Sequence, residues 1–332
     1  MPNRRTVAFL SLVSLLWVGN ACAGPDATPD AAPQEAAERD QALTAETEAT
    51  SLLGEPLSRP EAPAEVEAER RQQLEEAEAT LAADSSSLDA WIWAGRRQAY
   101  PGHFRQAIAT YSAALERFPD EPHLLRHRGH RYITVRELDE AVADLSRAAE
   151  VVAGTEDEVE PDGQPNALGI PTSTLQFNIW YHLGLAHYLQ GDFEAALEAY
   201  RNCMAVSRHD DSVVATAHWL YMTLRRLGRE QEAAQVLADL PENPDVIEST
   251  AYLDLLRMYQ GRRTPEDLLG PGGEDATLTG TTAAYGVGNW YLYNGDATRA
   301  RSVFERILTG RSQWPAFGYV AAEAELARMG DR

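Results

Sequence analysis

The 332-residue chain contains no lysine; its 29 basic side chains are all arginine and face 51 acids, for a formal net charge of −22. Proteins that grip phosphate backbones draw their affinity from basic faces that neutralise phosphates, so no nucleic-acid partner is expected. Cysteine is almost missing as well, with only Cys22 and Cys203, which rules out a disulfide-rich scaffold. The chain has no Gly-rich phosphate loop ending in Lys-Ser/Thr, no Gly-x-Ser-x-Gly elbow and no His-Glu-x-x-His helix. Nothing therefore points to nucleotide, acyl-transfer or zinc-protease chemistry. No cofactor is expected, and the protein reads as non-enzymatic. What remains is an ordinary globular share of hydrophobic residues, 44%, in a length that suits one large domain or two smaller ones.

The only long apolar run lies at the N-terminus. Arg4 and Arg5 precede Phe9–Gly19, FLSLVSLLWVG, which is too short for a comfortable membrane span. Together they read as an export signal covering residues 1–21. Two cleavages fit. Gly19-Asn20-Ala21-Cys22 resembles a bacterial lipobox, with cleavage before a lipidated Cys22. Ala21 and Ala23 also flank a small-x-small site for cleavage after Ala23. The stretch that follows, 22–62, is rich in Ala, Pro, Glu, Asp and Thr. It holds too little apolar surface to fold and reads as a disordered tether, which favours the lipoprotein. Ala23 after the cysteine then implies sorting to the outer membrane. The expected location is the periplasm, with a lipid anchor holding the protein to the membrane.

The rest of the chain repeats. Gly95 answers Gly129, Ala107 answers Ala141 and Ala114 answers Ala148, each pair 34 residues apart. Trp180, Gly184, Gly191, Phe193, Ala196 and Tyr200 repeat the pattern of Trp91, Gly95, Gly102, Phe104, Ala107 and Tyr111. Two degenerate units follow, one around Gly228 and Ala233, the other around Gly288, Gly295, Ala300 and Phe304. A period of this length, with small and large residues in register, marks stacked helix pairs. Each pair would turn at a glycine able to adopt positive φ. Small residues would let the two helices approach, and the aromatics would fill the space between units. Cys203 falls where the neighbouring units carry Ala114 and Ala148, so it is expected to be a buried, unpaired, unreactive packing residue.

This skeleton resembles the tetratricopeptide repeat (TPR) family. The resemblance implies an all-α fold, a right-handed superhelical array of antiparallel helix pairs over 88–315, with insertions at 154–174 and 261–280. The insertions are expected to be exposed loops, the alternative being that one of them rims the groove and gates it. A charged helix at 63–87 and an amphipathic helix at 316–330 are expected to cap the two ends. The resemblance also implies a concave groove lined by the first helix of each unit, binding a protein or peptide. The groove candidates are Arg96, Tyr100, His123, Arg126, His130, Asn178, Tyr181, His218, Tyr285 and Asn289. Arginines and a histidine gather on this stripe of an acidic chain. Arg forks fix carboxylates and Asn fixes peptide backbone, which would suit an extended or C-terminal peptide.

Two other readings compete with that of an envelope scaffold. His123, His127 and His130 stand at i, i+4 and i+7 on one side of a helix. They could hold a metal for an enzyme on a helical scaffold, although Arg126 and Arg128 beside them oppose a cation. Alternatively, repeat arrays could self-associate in an architectural role with no discrete ligand.

Overall fold

The computed structural model describes residues 47–269 and 277–330. The signal segment and Cys22 lie outside them. Among the described residues there are fourteen α-helices and one two-stranded sheet, and no helix is long and apolar enough to cross a membrane. The chain is an all-α helical repeat array. Helix α1 (Ala64–Ala83) precedes the pairs α2 (Leu88–Ala99)/α3 (Phe104–Arg117), α4 (Pro122–Thr134)/α5 (Leu138–Val151) and α6 (Leu175–Gln190)/α7 (Phe193–Val206). They are followed by α8 (Asp210–Arg226)/α9 (Glu230–Ala238), α10 (Thr250–Tyr259)/α11 (Pro265–Leu268), α12 (Leu278–Tyr293)/α13 (Ala297–Thr309), and last α14 (Phe317–Gly330).

The unit α6/α7 shows why the repeat folds as it does. Thr174 caps α6 by accepting the Phe177 N–H. Gly191 ends that helix at φ +85°, a conformation that carries no steric cost without a Cβ. Asp192 then caps α7 through the Ala195 N–H. Gly184 lets the helices meet, since a Cβ there would lie 2.7 Å from the Tyr200 ring. The same contact recurs at Gly95 against Tyr111 and Gly288 against Phe304. Ala114, Ala148 and Cys203 are all fully buried, one methyl- or thiol-sized group at the equivalent place in three units.

Position 136 departs from the repeat. It is the turn position held elsewhere by Gly102, Gly191, Gly228 and Gly295, and Arg136 occupies it at φ +67°. A non-glycine residue in the left-handed region costs roughly 1 kcal/mol or more. The turn aims the guanidinium inward, where it forks onto both carboxylate oxygens of Glu323 at 3.0 and 2.8 Å. It also donates to the carbonyls of Trp314 and Thr134. Glu323 belongs to α14 and is 1% exposed.

Two expectations need correction. Part of the 22–62 tether is ordered: β1 (Thr47–Thr50) and β2 (Pro56–Ser58) form an antiparallel hairpin that buries Ala49 and Leu57. It joins both ends of the array. The Leu52 N–H donates to Glu323, Trp314 Nε1 donates to the Ser58 carbonyl, and Arg105 donates to the Glu48 carbonyl. Composition missed it because the hairpin needs only two buried apolar side chains and takes the rest of its core from the array. The second correction concerns α14, which does more than close the last unit. It packs on α12 and α13 and reaches back to α6.

Removing Arg136 leaves Glu323 buried without its main counter-charge. Arg136→Gly keeps the turn conformation and is expected to lower the unfolding free energy by about 3–5 kcal/mol in urea titrations. The pair Arg136→Gly/Glu323→Leu should recover most of that loss. A single variant as stable as the wild type would show that the ion pair does not hold α14.

Candidate functional site

The first helix of each unit supplies the concave face, and two segments of the chain lie against it. The first comes from the 154–174 insertion. Asp157 fastens its base by accepting the Gln176 N–H at 3.0 Å and the Thr174 hydroxyl at 2.7 Å. The Leu175 N–H adds a bond to the Glu158 carbonyl, and Val159 bridges to Thr174. The chain then turns over α2 and α4. The carboxylate of Glu160, 5% exposed, meets Arg126 Nε at 3.2 Å and His127 Nε2 at 2.9 Å and accepts from Asn178 Nδ2 at 2.7 Å. Arg96 donates to the Pro161 carbonyl at 2.7 Å. Gly163 sits so close to Tyr100 that a Cβ would fall 1.9 Å from the phenol oxygen. His123 lies between Glu121 (2.8 Å) and Glu158 (3.3 Å).

The electrostatics of this seat are settled by burial against pairing. Burial works to raise the Glu160 pKa, but Arg126 and His127 overcome it and hold the carboxyl well below the usual range. Burial, with Arg126 beside it, pushes His127 down to about 3, so its imidazole is neutral. Arg126 Nη1 lies 2.8 Å from His127 Nδ1. As a donor it leaves the ring proton on Nε2, toward Glu160. The charge pair is therefore Arg126–Glu160, with Asn178 as a neutral donor and the neutral His127 ring 2.9 Å from the carboxylate.

The second segment is α14. Phe317 at its start lies 5.3 Å from the His130 ring and contacts Tyr181 and His182. Glu325, 1% exposed, pairs with Arg226 and Arg328. Arg328 donates to the Leu189 carbonyl at 2.8 Å. Beneath it, Asn289 and Tyr285 both donate to the Tyr188 hydroxyl. Beside the start of α14 a cleft of about 380 Å³ stays open, lined by His130, Tyr181, Tyr252, Leu278, Phe317 and Glu248 among others.

The stripe read from the sequence as an open groove is thus largely covered by the chain itself. Arg96, Tyr100, His123, Arg126 and Asn178 come together under the insertion, His130 and Tyr181 at the cleft, and Tyr285 and Asn289 under α14. His218 stands ten residues before Gly228, as Tyr181 stands before Gly191 and Tyr285 before Gly295, but α10 packs on α8 there and buries it, stacked on Tyr252 with its Nδ1 3.3 Å from the Tyr259 hydroxyl. The insertion is not simply an exposed loop, because Glu160 and Gly163 are buried. The three histidines proposed as a metal cluster part ways, His123 to Glu121, His127 to Glu160 and His130 to His182. No group of three or more metal-ligating side chains occurs among the described residues. The sequence reading missed Glu160, Glu323 and Glu325. The last two had a signal, two acids inside the apolar run Ala316–Leu326. Glu160 had none within its acidic surroundings.

Cys203 is a packing residue. Its thiol lies 3.2 Å from the Thr216 hydroxyl and donates to the Phe177 carbonyl, and burial pushes its pKa up to about 12.

Fold and groove together define a helical-repeat protein of the protein-interaction class. Residues 177–210 match the sequence model of the Tetratricopeptide repeat family, and the glycine-on-aromatic contact of the α6/α7 unit they cover recurs along the array. Proteins of this family are in general non-enzymatic scaffolds. Similar solved structures include MamA of AMB-1, 18% identical with a TM-score of 0.40, covering 52% of this chain and 88% of its own. YrrB, described as a TPR protein with an unusual peptide-binding site, is 15% identical with a TM-score of 0.41, over 71% and 93%. A putative Podosopora anserina kinesin light chain with TPR-like repeats is 15% identical with a TM-score of 0.39, over 68% and 95%. At these scores they carry no argument. No curated protein matches the chain.

The buried imidazoles set a pH dependence. His127, His182 and His218 are each pushed down to about 3, by burial first, and His130 well below its ordinary value. Their folded pKa values lie below the unfolded value near 6.5, so the unfolded chain binds more protons in between. Stability is full above about pH 6.5 and falls as the pH drops toward 3. At pH 5, unfolding should take up about four protons, one per imidazole, read from the slope of unfolding free energy against pH. A flat profile between pH 7 and 5 would contradict the burial of these rings. Cys203 should react with a thiol reagent only at the rate of global unfolding; rapid labelling of the folded protein would contradict its packing role.

Proposed function

We propose that this protein is a non-enzymatic scaffold of the bacterial cell envelope that holds a protein or peptide partner in its concave groove. The observation that carries the reading is that the groove already seats two segments of its own chain. One is an extended acidic strand and the other a helix, and both are fixed by arginine–carboxylate pairs. Extended segments and helices are both recurring shapes in which a peptide meets a protein surface. The N-terminal sequence supports an exported, lipid-anchored form, with Cys22 as the lipidated residue and the outer membrane as its site.

Both halves of the proposal can be tested. Affinity capture from cell envelopes should recover partners with the wild type and lose them with Arg96→Glu/Arg126→Glu, provided the variant folds by circular dichroism. Recovery of the same proteins with both would overturn groove binding. Mass spectrometry of the mature N-terminus should find a diacylglyceryl group on Cys22. An N-terminus at Gly24 would overturn the anchor.

A further inference from the structure

The two docked segments are not held alike. Helix α14 buries a continuous face, Gly318 through Leu326, with two buried carboxylates and the hairpin bonded to one of them. It is part of the core. The insertion is fastened at its base by Asp157, Thr174 and Leu175, and these bonds do not involve Glu160. Beyond that base only Glu160 and Gly163 are buried between Val159 and Pro171. Val159, Leu168 and Ile170 are exposed, Val159 at 58%. Asn166 and Thr172 reach Glu248 through exposed hydrogen bonds, which are individually weak in water.

One buried side chain, Glu160, therefore anchors this segment beyond its base, and it is a charged one. A loop that only needs fixing gains more from an apolar anchor, because desolvating an ion pair offsets most of its attraction. The seat is built for a carboxylate: a guanidinium, a neutral imidazole turned by that guanidinium, and an amide, with Arg96 beyond them on a backbone carbonyl. Exchanging one carboxylate for another leaves the desolvation cost of the site unchanged.

We propose that residues 160–163 are a removable occupant, and that this stretch of groove takes in trans an acidic peptide. The peptide carries a glutamate followed by proline and a small residue two positions beyond it, where Gly163 now clears Tyr100. This deepens the scaffold reading and rests on it. The tethered segment competes at the millimolar effective concentration typical of short linkers, so the resting protein binds such peptides weakly and release of the segment exposes the seat.

The probe is the labelled peptide Asp-Glu-Val-Glu-Pro-Asp-Gly-Gln, the chain's own 157–164 sequence, added to the full chain in a fluorescence polarisation titration. Glu160→Ala protein should bind it at least tenfold more tightly than the wild type. The same peptide with glutamine at the position of Glu160 should bind the variant at least tenfold more weakly. Equal affinity of the two proteins, or of the two peptides, would overturn the proposal. Should Glu160→Ala fail to fold, the wild type still decides. Saturating peptide is expected to speed proteolytic cutting between Gln164 and Ile170, and an unchanged rate would overturn displacement. If the peptide does not bind while envelope partners are still captured through Arg96 and Arg126, the acidic-peptide chemistry falls and the scaffold reading stands.

Discussion

The fork between Arg136 and Glu323 ties the second repeat unit to the last helix. Every other well-formed unit turns on glycine, whereas the second turns on an arginine held at positive φ. The backbone cost is met because the left-handed turn is what sends the guanidinium into the array. There it binds Glu323 and the Trp314 carbonyl, and Glu323 in turn accepts the Leu52 N–H. One side chain from the second unit, one from the last helix and one backbone group from the N-terminal hairpin thus share a single buried site. Buried ion pairs add little net stability but are strongly destabilising to break. The fork therefore acts less as glue than as a specification of where α14 and the hairpin must sit.

With α14 in place, the groove has two parts of different character. Toward the C-terminal units it is filled by a helix whose carboxylates meet Arg136, Arg226 and Arg328. Toward the N-terminal units it is covered by a segment resting on one buried glutamate. The arginines that make the concave face basic on an acidic chain are thus already matched to carboxylates of the same chain. Repeat arrays contact only near neighbours, and these ion pairs are what join distant units here.

Much of the fold was legible. The 34-residue period, the turn glycines and the small residues against Tyr111, Tyr200 and Phe304 follow from local geometry, and local geometry leaves a regular trace in sequence. Cys203 could be placed as a packing residue for the same reason. The groove was legible only as a list of positions. His218 keeps the register of Tyr181 and Tyr285 but is buried because α10, which follows no repeat pattern, packs over it, and the hairpin at 47–58 was hidden because its few buried side chains find their core elsewhere. Glu160 was invisible in the run Glu156–Asp162, since nothing local distinguishes the one acid that is buried from its solvated neighbours.

By itself, then, the sequence determined the helix pairs, their stacking and the residue types on the inner face, all set by contacts within a unit or between adjacent ones. Only the tertiary structure decided that the inner face is covered by the chain's own insertion and last helix. Those contacts join residues as far apart as Arg136 and Glu323, and no periodicity records a pairing that occurs once.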